Sequence, residues 1–232
     1  MTLRTSLLRS ALSEDALTWL DAAVDRIAAD PRAIRQVFPA ARRRCGRHRI
    51  DDHWTVDDAA RVVLLTVVPP ADLALELVGL YRHGDRAERR AVLRALDVVD
   101  GGAAGLTLVR EAINSNDIEL IAAALGPFGA RALPLPEYRQ AVLKCVFNDI
   151  PLDRIAGLPQ HADAELARMM ADFACERVAA GRGVPADIWP IVRAFPAAVA
   201  LQRAAIELDT SSTIPARREA AARALADFTG AC

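Results

Sequence analysis

Lysine is almost missing from this 232-residue chain: of 29 basic side chains, Lys144 is the only lysine and the rest are arginine. Aromatic residues are scarce as well, at 5%, although hydrophobic residues make up 53%. The apolar content therefore comes from Ala, Leu, Val and Ile, and such a chain with helical periodicity reads as helix packed on helix. No run approaches about 18 uninterrupted apolar residues, which excludes a membrane-spanning helix. No segment alternates with period two over a strand's length, so no sheet is expected. The four cysteines, Cys45, Cys145, Cys175 and Cys232, contain no CxxC pair and no zinc spacing with a histidine. They read as buried or terminal thiols of a reducing compartment. Residues 1–11 lack a long apolar core and a cleavage pattern, so they read as a short helix or arm rather than a signal peptide. No nucleophile motif, metal-ligand spacing or phosphate loop is visible; no cofactor or metal is expected, and the expected location is the cytoplasm. A formal net charge of −1 excludes the overall electrostatics of a dedicated nucleic-acid binder, leaving only a local basic patch open.

What the chain does have is a legible set of helix starts. Ser13 opens a helix whose stripe is Ala16, Trp19, Leu20, Ala23, Val24 and Ile27. Asp30-Pro31 starts the next, which Pro39 is expected to break or kink after Phe38. Thr55 with Asp58, and Asp85 with Glu88, fit capping boxes. Ser115 is expected to cap the helix carrying Ile118, Ile121 and Leu125. Residues 126–135 read as a connection, and Pro136 as the start of a helix through Asn148. Asp163 to Ala180 is a strong helix ending at Gly181. Pro185, Pro196 and Pro215 are each expected to open another. Short loops make successive helices antiparallel neighbours. Helix pairs recur at roughly 30 to 40 residues, the spacing of HEAT-like pairs. The expected architecture is a single all-α domain over residues 1–232: a curved HEAT-like array of about a dozen antiparallel helices with a concave binding face.

Three constellations bear on chemistry. Arg42, Arg43, Arg44, Arg47, His48 and Arg49 crowd a helix end. They form either an anion site, since guanidinium forks bind oxyanions, or a solvated helix end paired with Asp51, Asp52, Asp57 or Asp58. The run Asp51-Asp52-His53-Trp54 offers metal-ligand types, but consecutive positions rarely converge on one ion. The third lies between Pro136 and Arg182, where Lys144 borders an apolar stripe and Glu176 and Arg177 share a helix with Arg168 and Asp172. It reads either as an ion-pair network locking two repeats or as a polar pocket meeting a ligand.

This last stretch resembles the EboA family, bacterial proteins encoded in the ebo gene cluster. The resemblance is carried by Ala141-Val142-Leu143-Lys144 with Phe147, by Pro151-Leu152, by residues 165–169, and by Glu176-Arg177 with Ala179-Ala180-Gly181-Arg182. Arg43 with Gly46-Arg47, Trp54 with Arg61, Leu64 and Leu65, and residues 126–133 extend it over most of the chain. His161 and Asp163 stand where a basic and an amide residue are expected. The resemblance implies a role in traffic of secondary-metabolite or isoprenoid-linked precursors, beside cluster products that include a prenyltransferase-like membrane protein and a sugar-phosphate-cyclase-like enzyme. It carries over no catalytic residue.

Two functions are compatible with these readings. In the first, the chain is a non-enzymatic metabolite-handling or scaffold protein that binds a small molecule or partner proteins of the same cluster, with peripheral membrane association conceivable. In the second, it is an enzyme or binder acting on a phosphorylated substrate or nucleic acid, as helical-repeat DNA glycosylases do, with Trp19, Trp54 and Trp189 stacking on bases. The second requires Arg43, Arg47 and a tryptophan exposed on one surface with a carboxylate such as Asp52 or Glu176. The candidate ligand-binding residues are Arg43, Arg47, Lys144, Glu176, Arg177 and Arg182.

Overall fold

The computed structural model describes residues 8–230; Cys232 and the first seven residues of the expected N-terminal arm lie outside them. The described residues are all-α, and their only extended pairing is an isolated bridge between Arg49 and Thr55. The chain divides after Leu133 into two compact units.

The N-terminal unit holds α1 (Glu14–Ala29), α2 (Ile34–Cys45), α3 (Val56–Thr66), α4 (Pro70–His83), α5 (Arg86–Ala95), α6 (Gly102–Ile113), α7 (Ile118–Ala124) and α8 (Pro127–Ala132). Its helices form two layers. α1, α3, α5 and α7 touch in succession, as do α2, α4, α6 and α8, while chain neighbours cross between layers. α1 buries one stripe, with Ala16, Leu20, Ala23 and Ile27 inward, whereas α3 and α5 bury consecutive residues.

Local chemistry sets the helix starts. Ser13 accepts from the Ala16 amide, and Asp85 and Glu88 form the reciprocal capping box. Four expectations are corrected here. Pro39 neither breaks nor ends α2; it sits on the exposed side, where the Arg35 carbonyl that loses its donor faces outward. Thr55 and Asp58 form no capping box, because Asp58 is drawn to Arg90 and Arg94 of α5, and charged partners outcompete a backbone amide. Asp117, not Ser115, caps α7; the Ser115 hydroxyl supports the turn by donating to the Ala112 carbonyl and accepting from the Asp117 amide. Within 126–135 lies α8, started by Pro127 and fastened by Asp97, which accepts from the Phe128 amide.

The C-terminal unit comprises α9 (Leu135–Phe147), α10 (Leu158–His161), α11 (Ala164–Ala179), α12 (Trp189–Ala194), α13 (Ala200–Asp209) and α14 (Pro215–Thr229). α11 is its hub and packs on α9, α12, α13 and α14. Pro196 does not open α13, which begins at Ala200 after a turn. Asp163 caps α11, and Gly181, at a φ of 68°, ends it in the left-handed conformation that glycine adopts without cost.

Candidate functional site

The six candidate residues divide between the units. Arg43 stands in the last turn of α2 and Arg47 just past it, both exposed, while Lys144, Glu176, Arg177 and Arg182 belong to the C-terminal unit. There, α9 and α11 are joined by an edge-on contact of Phe147 with Phe173, ring centroids 4.7 Å apart. Lys144 lies one turn before Phe147, and the Arg177 guanidinium sits 5.8 Å from the Phe173 ring. Arg177 also donates to the Gly183 carbonyl at 2.8 Å, so it fastens the loop after α11. Arg168 takes the i,i+4 partnership with Asp172 and also pairs with Glu165; Glu176 enters neither pair. His161 packs against the Tyr138 ring, and Asp163 is held by Arg139 while it caps α11. Arg177, Arg168, His161 and Asp163 thus make contacts within the unit.

A cleft is found in the N-terminal unit, where α2 and α4 run side by side in one layer. The cleft is about 370 Å³ and is lined by Arg35 and Pro39 of α2, Leu75, Glu76, Gly79 and His83 of α4, and Glu88 of α5 among others. That volume falls within the range of small-molecule sites. None of the six candidate residues lines it. Glu76 is 2% exposed and is gripped by the Arg35 fork, Nε to Oε2 at 2.9 Å and Nη2 to Oε1 at 2.7 Å. Arg35 Nη1 makes no hydrogen bond among the described residues, and the Arg35 side chain is half exposed at the rim. Below Glu88 lies Arg61, 1% exposed, which pairs with Asp57 at 2.8 Å, donates to the Phe38 carbonyl and stands 3.8 Å from Glu88. Leu75, 66% exposed, supplies an apolar lip.

Gly79 is the most informative lining residue. It sits inside α4, where glycine costs about 1 kcal/mol relative to alanine. A Cβ built there meets no atom within 4 Å, and its φ is not in the left-handed region, so neither crowding nor backbone shape requires glycine. Its place in the lining leaves the cleft without a side chain at that position.

Ion pairs extend on either side of this site. Asp58, fully buried, receives Arg90 at 2.8 Å and Arg94 at 2.5 Å, and Arg94 also donates to the His53 carbonyl and stacks 4.7 Å from the Trp54 ring. Burial pushes the Asp58 carboxyl upward, and the two guanidinium groups oppose that shift. In the C-terminal unit, burial likewise raises the Cys145 thiol to about 12 and Cys175 to about 11; in the N-terminal unit Cys45 rises to about 11. Such thiols stay protonated and are poor nucleophiles. Among the described residues no cluster of three His, Cys, Asp or Glu could hold a metal ion, and no helix is long and apolar enough to cross a membrane.

Sequence reading missed Arg35, Glu76, Gly79, His83 and Glu88 because the cleft forms only when two helices, separated by a third, become layer neighbours. The available signal was Gly79, a helix-interior glycine with no turn to make. The tryptophans do not form a stacking platform: Trp189 is 2% exposed, Trp54 lies against Arg94, and Trp19 is half-buried.

No curated protein and no solved structure matches the chain. A family model described as "Metabolite traffic protein EboA" matches residues 39–193, most of the chain, with Pro39, Gly79 and Glu88 of the cleft inside the match. On that match, the chain belongs to the EboA family.

Proposed function

We propose that this EboA-family chain is a non-enzymatic metabolite-handling protein that holds a small molecule in the cleft between α2 and α4. The observation that carries the reading is a cleft of about 370 Å³ lined by a helix-interior glycine, Gly79, that neither crowding nor backbone shape requires. Binding rather than turnover is favoured by how the polar groups are committed. Glu76 is tied up in the Arg35 fork, so it is poorly placed to take a proton from a ligand. Apolar Leu75 and Pro39, together with a few fixed polar groups, form the kind of lining that orients a ligand. In the same reading the protein works in the cytoplasm, and other proteins of its gene cluster deliver or collect the ligand.

The test is native mass spectrometry of the protein purified from its own host, compared with the same batch denatured. A non-covalent mass is expected on the wild type and absent from Gly79→Leu. A Cβ at this position meets no atom within 4 Å and leucine improves helix propensity, so the variant should melt at or above the wild-type temperature. An adduct that survives in Gly79→Leu, or a wild type with no adduct, refutes the cleft as the binding site.

A further inference from the structure

The basic cluster at the end of α2 is not neutralised by the acidic run that follows it. Asp51 spends Oδ1 on the amides of His53 and Trp54, Asp52 pairs with Arg49, Asp57 with Arg61, and Asp58 with Arg90 and Arg94. Arg42, Arg43, Arg44 and Arg47 are all exposed, and among the described residues none of them makes an ion pair or side-chain hydrogen bond. Six other arginines of the unit, Arg35, Arg61, Arg82, Arg86, Arg90 and Arg94, have carboxylate partners, whereas Arg26, Arg89 and Arg131 bond to amide or carbonyl oxygens. Cations at a helix C-terminus gain from the dipole, but four of them within six positions also repel one another. An anion relieves that repulsion.

Helical geometry says which of the four belong together. At about 100° per residue, Arg35, Pro39, Arg42 and Arg43 fall within roughly a third of the α2 circumference, opposite the buried stripe of Ile34, Val37, Phe38, Ala41 and Cys45. Arg44 points about 100° further round, and Arg47 lies past the helix end at Gly46. Arg35 and Pro39 line the cleft, so Arg42 and Arg43 continue its rim, about 10 Å along the axis from Arg35.

We infer that the rim formed by Arg42 and Arg43 is a phosphate subsite, and that the molecule handled in the cleft is a small phosphorylated one, a monoester or diphosphate. Guanidinium groups bind phosphate oxygens through paired N–H donors, and the uncommitted Nη1 of Arg35 adds a donor at the near end. The inference rests on the cleft reading for the ligand's body, while its phosphate subsite is testable alone.

The probe is inorganic pyrophosphate, titrated into the full-length protein by calorimetry and followed by thermal melting. Saturable, salt-sensitive binding is expected, with a raised melting temperature. Arg42→Ala/Arg43→Ala should weaken it at least tenfold. The charge-matched pair Arg44→Ala/Arg223→Ala should leave it within about twofold, since both residues are exposed and off the stripe. Gly79→Leu, which puts a side chain into the cleft, should still bind pyrophosphate, so failure of the cleft reading and failure of the phosphate subsite give different results. Equal losses in the two double variants would reduce the effect to general electrostatics and overturn the subsite. So would binding to phosphatidylglycerol vesicles without binding to pyrophosphate, which would make the patch a membrane contact.

Discussion

Arginine is used in this chain where shape as well as charge is needed. A planar fork can make two directed hydrogen bonds and still stack on a ring, as Arg94 does with the buried Asp58 carboxylate, the His53 carbonyl and the Trp54 ring; a lysine ammonium cannot. This accounts for a basic complement with one lysine, and it ranks the ion pairs by burial. Asp58→Asn removes the charge that two guanidinium groups share in a dry site, and about 3 to 5 kcal/mol of stability should be lost in urea unfolding. Arg168→Ala, which breaks two exposed pairs with Glu165 and Asp172, should cost no more than about 1 kcal/mol. Comparable losses for the two variants would mean that the Asp58 network is solvated. None of this ranking was legible in the sequence. Asp57 and Asp58 read there as first-turn helix acids or as neighbours for the arginine cluster, and their true partners stand 4 and more than 30 positions away.

At the scale of the helix, the sequence was most readable where one residue both starts an element and satisfies its amides. Ser13, Asp85 with Glu88, and Asp163 stand where expected because capping is local chemistry. The misreadings occur where a distant partner decides. Asp97 fastens α8 across 31 positions, and exposure of Pro39 lets α2 continue through a residue that ordinarily breaks helices. Asp163 yields a pH prediction. Burial alone would raise its carboxyl, but the Arg139 hydrogen bond and the Leu166 and Glu165 amides outweigh it and hold the group below the ordinary aspartate value. A carboxylate depressed in the folded state contributes fully above its unfolded value of about 3.9, and that contribution fades as pH falls through the lower, folded value. Asp163→Asn keeps a good cap but loses the charge pair with Arg139, and should therefore be less stable than wild type at pH 7, by up to about 1 kcal/mol. The gap should narrow as unfolding is measured at pH values falling below the unfolded value and through the lower, folded one; a gap that stays constant with pH would leave the charge out of the account.

For the molecule as a whole, repeated helix pairing was visible in the spacing of stripes and breakers, but the division after Leu133 was not, because Pro134 looks like any other helix-starting proline in this chain. The N-terminal unit has what an independent domain needs. Its two helix layers bury their own stripes, and in-layer neighbours are tied by Arg35 to Glu76, Arg82 to Glu111, and Arg90 to both Asp58 and Glu119. At about 130 residues it is also within the usual domain size. Residues 1–133 expressed alone should therefore be helical by circular dichroism and unfold in one cooperative step. Because every residue assigned to the cleft and its rim lies between Arg35 and Glu88, this fragment should also bind pyrophosphate with the affinity of the full chain and lose it on Arg42→Ala/Arg43→Ala. A fragment that melts gradually would show that the unit depends on the rest of the chain for its fold. A cooperative fragment that fails to bind would move the phosphate subsite out of the N-terminal unit, leaving Lys144, Arg177 and Arg182 as the cations to test next.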